Sequence, residues 1–257
     1  MTDTAFSIER KDLIEGLGKG LRVIEAFDDD HPRLTPSEAG VRAGITRTAA
    51  RRYLLSLCHF GYADTDGRLF WLGPRVLRLG NSYLEAARLP RVVQPFLQRA
   101  ALATGETMNF SVLDGHEIVY VARSNALRHV SIGFQPGARM PAHLVTPGYV
   151  ILSTFSDAAL DKWIAEHEFT SFTSEGSRDG RRFKEWALKA RSLGYWVIEQ
   201  QFDLGLRGIA LPLKDRKGEC KGAIGMTTPM VPHTAEQLVA RVLPLLQEAA
   251  QTLRPIL

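Results

Sequence analysis

The stretch from Thr35 to Tyr62, TPSEAGVRAGITRTAARRYLLSLCHFGY, limits the fold of this chain more than any other. In its second half Ala50, Tyr53, Leu54, Leu57 and Cys58 fall at offsets of three, four, seven and eight, which predicts a helix over Thr46 to Phe60 with one buried stripe. Thr48, Arg52, Ser56 and His59 fall roughly opposite that stripe, Arg47 and Arg51 lie on its flanks, and no acidic residue occurs in the helix. A surface of that kind is suited to an anion. Ahead of it, Pro36 suits a first helical position after Thr35, and Gly44 suits the turn that ends a short helix over Pro36 to Ala43. Helix, glycine turn and basic amphipathic helix make the helix-turn-helix arrangement. Leu55 lies off the apolar stripe and has no assigned partner, unless it packs under a neighbouring hairpin.

Bulk charge adds little to this. The formal net charge is +4, and up to Arg75 eleven Lys or Arg stand against eleven Asp or Glu, so the positive charge that matters is local, at positions 47, 51 and 52. A chain of 257 residues is long enough for two cores. Cys58 and Cys220 are the only cysteines and have no Cys or His at ligand spacing, which argues against a disulfide scaffold or a structural zinc; no metal or cofactor is expected. The start, MTDTAFSIERKD, has no basic patch followed by an apolar run, and no apolar stretch is long enough to span a bilayer. A cytoplasmic protein without membrane contact is the expectation.

Along the chain, a first helix is predicted over Leu13 to Phe27 with Leu17, Leu21, Ile24 and Phe27 on its packed side. Glycines 16, 18 and 20 fit neither phosphate-loop spacing and take a structural role. Asp66 and Gly67 mark a hairpin turn, a wing with Arg68 at its tip. Pro74 closes this part; Arg75 to Ala87 reads as a helix that either packs ordinarily or links and pairs subunits, and Pro90 and Pro95 lead into another over Val93 to Thr104, stopped by Gly105. The texture then changes. Strands are predicted over Met108 to Leu113 and Ile118 to Ala122 around an Asp114-Gly115 turn, and over Val130 to Phe134. Helices follow near Thr146, over Leu160 to Ala165 and over Phe183 to Ser192, with a polar loop between the last two. Strands over Tyr195 to Glu199, Gly208 to Leu213 and Ala223 to Thr227, a turn at Asp215 to Gly218 and a closing helix over Glu236 to Leu253 complete the order. Two groups of strands with helices between them predict an α+β domain with a mostly antiparallel sheet. The divisions are 1–74, a linker at 75–90, and 91–257.

The ordered succession EGLGKGLRVIEAF, LTPSEAGVRAGITRTAARRYLLSLCHFGY, DGRLFWLGPRVLRLG, QPFLQRAALATGE, VLDGHEIVYVAR and GYWVIEQQFDLGLRGIALPL resembles the IclR family of transcriptional regulators along nearly the whole chain. Within it the resemblance is closest to regulators of aromatic-acid catabolism, those of the protocatechuate, 4-hydroxybenzoate and β-ketoadipate genes. The resemblance implies a winged helix-turn-helix domain, a linker helix and a GAF-like effector domain for a small organic acid. It also implies operator DNA as partner, a homodimer or dimer of dimers, and contact with RNA polymerase where the regulator activates. Thr46, Arg47, Thr48, Arg51 and Arg52, with Arg68 from the wing, occupy the DNA-contacting positions. Arginine forks onto guanine, and arginine and threonine also fix register on phosphates; the alternative for such residues is a merely solvated helix face.

The same resemblance implies an effector pocket between the sheet and the start of the helix at Thr146. Thr146 and Gly148 are the expected anion contacts, because unpaired amides and a helix dipole suit a carboxylate. Ile132, Phe134, Ile198, Gly208, Gly225 and Thr227 are the expected lining, although Ile132, Phe134 and Ile198 would look the same as plain core. Relatives that take small oxo acids tend to have an acidic residue at the Ile198 position and small hydroxyl residues at the Gly225 and Thr227 positions. An apolar, glycine-lined pocket suits an aromatic ring better. Tyr149 stands where relatives usually carry a basic residue, and His116, His129 and His143 are scattered and read as surface or satisfied groups.

No catalytic residue is expected. Glu219 and Lys221 form an E-x-K pair downstream of Asp203 and Asp215, a pattern metal-dependent nucleases use, but Gly218 beside it points to a hairpin tip. No G-x-S-x-G elbow or triad context is present.

Overall fold

The computed structural model describes residues 8–124, 134–174 and 179–257. It divides into two compact units that meet between Glu85 and Ala86, and each folds around its own core.

In the smaller unit, α1 (Glu15–Glu25), α2 (Pro36–Ala43) and α3 (Arg47–His59) are followed by a hairpin of β1 (Ala63–Thr65) and β2 (Phe70–Leu72), then by a 3-10 turn and α4 (Leu77–Ala86). The helix starts are set locally. Thr35 and Glu38 form a reciprocal capping box at α2, and the Thr46 hydroxyl accepts the Ala49 amide at α3, satisfying donors a helix cannot satisfy internally. Gly44 ends α2 at φ 65°, a left-handed value that costs glycine nothing and directs α3 across α2. Ala50 and Leu54 of α3 join Val23, Ala26, Leu34, Ala39, Ala43 and Phe70 in the core, with Tyr53, Leu57 and Cys58 packed against it. Leu55 is 39 % exposed and joins no core, so the hairpin does not cover it.

The first helix corrects the expectation for its packed side. Leu17 and Leu21 are 63 % and 45 % exposed, while Val23 and Ala26 are buried. The reason is the glycines. A Cβ on Gly20 would lie 3.6 Å from the Tyr53 ring and one on Gly16 3.4 Å from its hydroxyl, so the bare backbone of α1 is the surface on which Tyr53 rests. Nor has α4 a buried residue: Leu77, Leu79 and Tyr83 are all exposed.

The larger unit is built on one antiparallel sheet in the order β5-β4-β3-β8-β7-β6. Its strands are β3 (Met108–Asp114), β4 (Glu117–Ser124), β5 (Arg139–Pro141), β6 (Trp196–Glu199), β7 (Leu206–Lys214) and β8 (Cys220–Pro229). Long helices α5 (Arg88–Thr104) and α9 (Ala235–Leu253) pack together and on the sheet. On the face carrying Ile118, Tyr120, Ile198, Ala210 and Ala223 lies the short α6 (Thr146–Leu152), backed by α7 (Asp157–Glu166) and α8 (Gly180–Leu193). The expected α+β architecture is present.

The largest departures from the expected ranges lie at α5 and at the edge of the sheet beside β4. α5 begins five residues before Val93 and carries both prolines; Pro90 sits in its first turn, where a missing N–H breaks no hydrogen bond. Of the expected strand over 130–134, residues 130–133 lie outside the described residues and Phe134 is not in a strand; the partner of β4 is the three-residue β5, too short to show alternation in sequence.

Candidate functional site

Two surfaces carry the chemistry, one in each unit. On α3, Arg47, Thr48, Arg51 and Arg52 are all exposed, and no guanidinium among them has a hydrogen bond or ion pair to another described residue. Other arginines of the unit are committed. Arg22 donates to the Ala43 carbonyl at 3.1 Å, Arg42 to the Ala26 carbonyl at 2.6 Å and to Asp28, and Arg75 to the Phe60 carbonyl at 2.6 Å. Arg68 is exposed at the hairpin tip, where Asp66 accepts the amides of Arg68 and Leu69 and fixes the turn. Beside it Arg33, not singled out by the sequence reading, lies 4.3 Å over the Trp71 ring, and adds a cation on the hairpin side. Thr46 is the cap of α3, so its oxygen is engaged.

In the larger unit a hollow opens beside the start of α6, with about 380 Å³ of empty space including its mouth. Phe134, Thr146, Ile198, Gly208 and Thr227 line it, together with Tyr120, Leu144, Gln200, Gln201, Phe202 and Leu206. Three aromatic rings form one wall: Tyr120 and Phe134 have centroids 4.7 Å apart, and Phe134 and Phe202 5.6 Å. Burial pushes the Tyr120 hydroxyl well above the usual phenol range, so it is neutral.

Gly148 and Gly225 do not line this hollow. A Cβ on Gly148 would sit 1.8 Å from the Ala142 carbonyl oxygen, and one on Gly225 2.2 Å from the Ile209 carbonyl oxygen. Each lets backbone pass close to backbone, one where α6 crosses the preceding turn, the other between β8 and β7. Gly208 does both jobs, since it lines the hollow and its Cβ would fall 2.3 Å from Thr146 Oγ1. Ile132 lies outside the described residues.

Nor does the start of α6 present the row of free amides expected of a helix end. α6 has only seven residues, Pro147 in its first turn has no N–H, and the Gly148 amide is already bonded to the Val145 carbonyl at 3.0 Å. The start of α6 therefore contributes mainly the Thr146 side chain. Of the charged residues around the hollow, Asp203 is exposed, and Arg207 is paired elsewhere. The register places Arg207 beside Glu199 and Thr228, opposite in face to Gly208, where its Nε meets Glu199 at 2.5 Å and its Nη1 the His233 carbonyl at 2.6 Å. Among the described residues the hollow is thus mainly apolar and aromatic, with neutral hydrogen-bonding groups, Asp203 at its exposed side and Arg207 bonded to Glu199 and the His233 carbonyl.

The E-x-K pattern is a turn. Asp215 Oδ1 accepts the amides of Lys217 and Glu219, and Lys221 Nζ reaches Asp215 at 3.0 Å and Glu219 at 2.7 Å. The lysine holds the Glu219 carboxyl below its usual range, and Asp203 lies on a different loop. Among the described residues no group of three His, Cys, Asp or Glu is arranged to hold a metal ion. The structure does bring together residues the sequence left scattered: His116, His143 and His167 are within hydrogen-bonding distance in series, while His129 lies outside the described residues.

A winged helix-turn-helix with unpaired arginines, followed by a sheet domain with an aromatic hollow, defines a ligand-responsive DNA-binding regulator. The family models agree. Residues 16–67 match the IclR helix-turn-helix domain and residues 81–254 the bacterial transcriptional regulator IclR C-terminal domain. The chain belongs to the IclR family. It is 38 % identical over 252 residues to the p-hydroxybenzoate hydroxylase transcriptional activator of Acinetobacter baylyi, covering 96 % of this chain and 93 % of that one. It is 32 % identical over 254 residues to the Pca operon regulatory protein of the same organism, covering 97 % and 91 %. Among solved structures, a double mutant of the PobR inducer-binding domain from Acinetobacter, in complex with 3-hydroxybenzoic acid, superposes with a TM-score of 0.63 at 31 % identity, over 66 % of this chain and all of that one. No helix among the described residues is long and apolar enough to cross a membrane.

Proposed function

We propose that this regulator controls aromatic-acid catabolic genes and that its effector is an aromatic carboxylate bound in the hollow beside α6. The observation that carries the reading is the wall of Tyr120, Phe134 and Phe202, which offers a flat ring offset and edge contacts, the geometry aromatic pairs prefer. Thr146 and Thr227 hydroxyls and the Gln200 amide are the polar groups on the hollow's lining that could orient the ring. Ile198 and Gly208 shape the slot, Ile132 remains a candidate lining residue, and Gly148 and Gly225 act by holding α6 and β8 in place. The relatives named for p-hydroxybenzoate hydroxylase activation and the Pca operon support the same class of ligand.

On the DNA side Arg47, Arg51 and Arg52 serve base edges and phosphates of an operator, with Thr48, Thr46 and Arg68 fixing register. The exposed apolar residues Leu17 and Leu21 of α1 and Leu77, Leu79 and Tyr83 of α4 support a homodimer or a dimer of dimers in the cytoplasm, since two half-sites are read by a two-fold pair. RNA polymerase is a further partner if the regulator activates. The effector acts by its difference in affinity for two subunit arrangements, which changes the separation of the recognition helices.

The test is a thermal-shift and calorimetric screen of hydroxybenzoates, cinnamates and dicarboxylic acids on the full chain. A hydroxybenzoate or cinnamate is expected to raise the melting temperature and to change protection of a promoter fragment. A response to the aliphatic dicarboxylic acids alone would overturn the aromatic assignment.

A further inference from the structure

Three imidazoles run in series beneath the effector hollow. His143 Nε2 lies 2.7 Å from the Thr170 carbonyl, His143 Nδ1 2.7 Å from His167 Nε2, and His167 Nδ1 3.1 Å from His116 Nδ1. His116 comes from the β3–β4 turn, His143 from the 3-10 turn just before α6, and His167 from the end of α7. Trp163 stacks on His167 at 4.3 Å and is itself anchored by a bond from its Nε1 to the Gly115 carbonyl at 2.9 Å. Phe169 meets His143 and His167 edge-on.

One arrangement of protons satisfies this chain with uncharged rings. A carbonyl only accepts, so His143 Nε2 carries hydrogen; neutral His143 then presents a lone pair at Nδ1, which the His167 Nε2–H fills. His167 in turn presents a lone pair at Nδ1, filled by the His116 Nδ1–H, and His116 Nε2 is left bare at the outer end. A proton added to that outer nitrogen breaks no bond. A proton carried to either inner ring reverses the tautomers between that ring and His116 and leaves a full positive charge on an imidazole packed against Phe169, and for His167 also against Trp163, where burial opposes it.

Charged groups gather at the outer end of the chain and apolar ones at the inner end. The hollow at the outer end is lined by His116, His167, Glu117, Glu166 and Glu168, with Pro141 and Thr170. Glu117 and Asp114 share Arg139, each at 2.7 Å. At the inner end His143 is fully buried among Phe169, His167 and the Thr170 carbonyl. Burial pushes His143 below the usual imidazole range; burial first, then the neighbouring His143 and His116 rings, lowers His167 to about 4.

Both ends of His143 lead to the effector hollow. Leu144 and Val145, next in sequence, line it. Thr170 belongs to a strap, residues 169–174, in which the Thr173 hydroxyl donates to the Gln200 carbonyl and the Phe172 ring lies 5.6 Å from Phe202. Gln200 and Phe202 are walls of the hollow. Gln200 is at φ 56°, a left-handed value that a residue with a side chain holds only when its surroundings impose it.

We infer that His116, His167 and His143 are positioning residues for the effector hollow, a hydrogen-bonded chain that fixes the strap and through it the Gln200–Phe202 wall, and that does so only while the inner rings are uncharged. This rests on the reading of the hollow as the effector's. The sign of the pH effect follows. A ring released from the chain returns towards about 6.5, whereas in the chain His167 titrates at about 4, so the released form binds more protons between those values. The stabilisation is complete above about 6.5 and is lost as pH falls towards 4.

The test compares the wild-type chain with His143→Leu, His143→Gln and Phe172→Ala. It reads 4-hydroxybenzoate affinity from pH 7.5 to 5.5, where a benzoate stays ionised, and ligand-free amide hydrogen exchange, corrected for intrinsic rates, over residues 169–174 and 200–206. His143→Leu is expected to weaken binding at least fivefold at pH 7.5 and to speed exchange of both segments about tenfold. His143→Gln keeps a donor and an acceptor and does not itself titrate; it is expected to bind within threefold of wild type and to exchange like it. Wild-type affinity is expected to fall severalfold at pH 5.5 while exchange of both segments rises. Phe172 is 62 % exposed, so Phe172→Ala leaves the core intact and is expected to loosen 200–206 alone. Should His143→Leu fail to fold, wild-type exchange at the two pH values decides. Exchange unchanged by His143→Leu, or by acid in the wild type, would overturn the inference. Absence of 4-hydroxybenzoate binding to the wild type would count against the effector reading, while the exchange results would still decide the role of the chain.

Discussion

The recognition helix and the walls of the hollow place their cations differently. In the smaller unit, the recognition helix leaves Arg47, Arg51 and Arg52 without a partner among the described residues, although Arg22 and Arg42 nearby are fully committed. In the larger one, several cations are paired: Arg139 with Asp114 and Glu117, Arg191 with Asp157, Lys184 with Asp161, Lys221 with Asp215 and Glu219, and Arg207, beside the hollow, with Glu199. Exposed pairs of this sort add little to stability. The difference teaches how each unit meets its ligand. A duplex is a dense polyanion whose counterions are released by bare cations; the proposed effector, a small aromatic acid, would be selected by shape and neutral hydrogen bonds.

The comparison breaks most severely if the units do not fold independently. Leu54 is fully buried at the centre of the smaller core, and Leu54→Ala is expected to cost about 2–5 kcal/mol there. Calorimetry is expected to show a lowered transition for the DNA-binding unit with effector affinity preserved; loss of both functions together would mean a single cooperative block. Next in size, Arg52→Ala is expected to weaken operator binding by about 1–3 kcal/mol if it reads a base, or to reduce the salt slope by about one if it meets a phosphate. Fluorescence anisotropy against salt separates these, and an effector affinity changed in parallel would deny the division of labour. The smallest effect is expected from Gly208→Ala, whose new methyl must displace the Thr146 hydroxyl at the low end of the overpacking range, about 1 kcal/mol. It is expected to blunt the effector response without altering operator affinity, and an unchanged response would remove Thr146 and Gly208 from the site.

Much of this organisation was legible in the sequence because it is local. Pro36 after Thr35, the glycine at 44, the periodic stripe of α3 and the Asp114-Gly115 hairpin are each written within a few residues, and each appears where expected. The packed side of α1 was not legible. Its periodicity picks out the apolar residues, whereas the contact surface is the pair of glycines under Tyr53, a residue more than thirty positions away. Gly148 and Gly225 were misplaced for a similar reason. A glycine in sequence does not say whether its missing side chain makes room for a ligand or for another stretch of backbone.

The sequence by itself determined the order of the elements, the helix-turn-helix with its bare basic face, and the succession of pieces that places the chain in its family, since these depend on hydrogen bonds and periodicities spanning a few residues. Only the tertiary structure decided which arginines remain free, that Arg207 turns away from the hollow, that Phe134 and Phe202 stand together, and that His116, His143 and His167 form one chain. Those outcomes depend on strand register and on which distant segments share a face, and neither is encoded in the spacing of neighbouring residues.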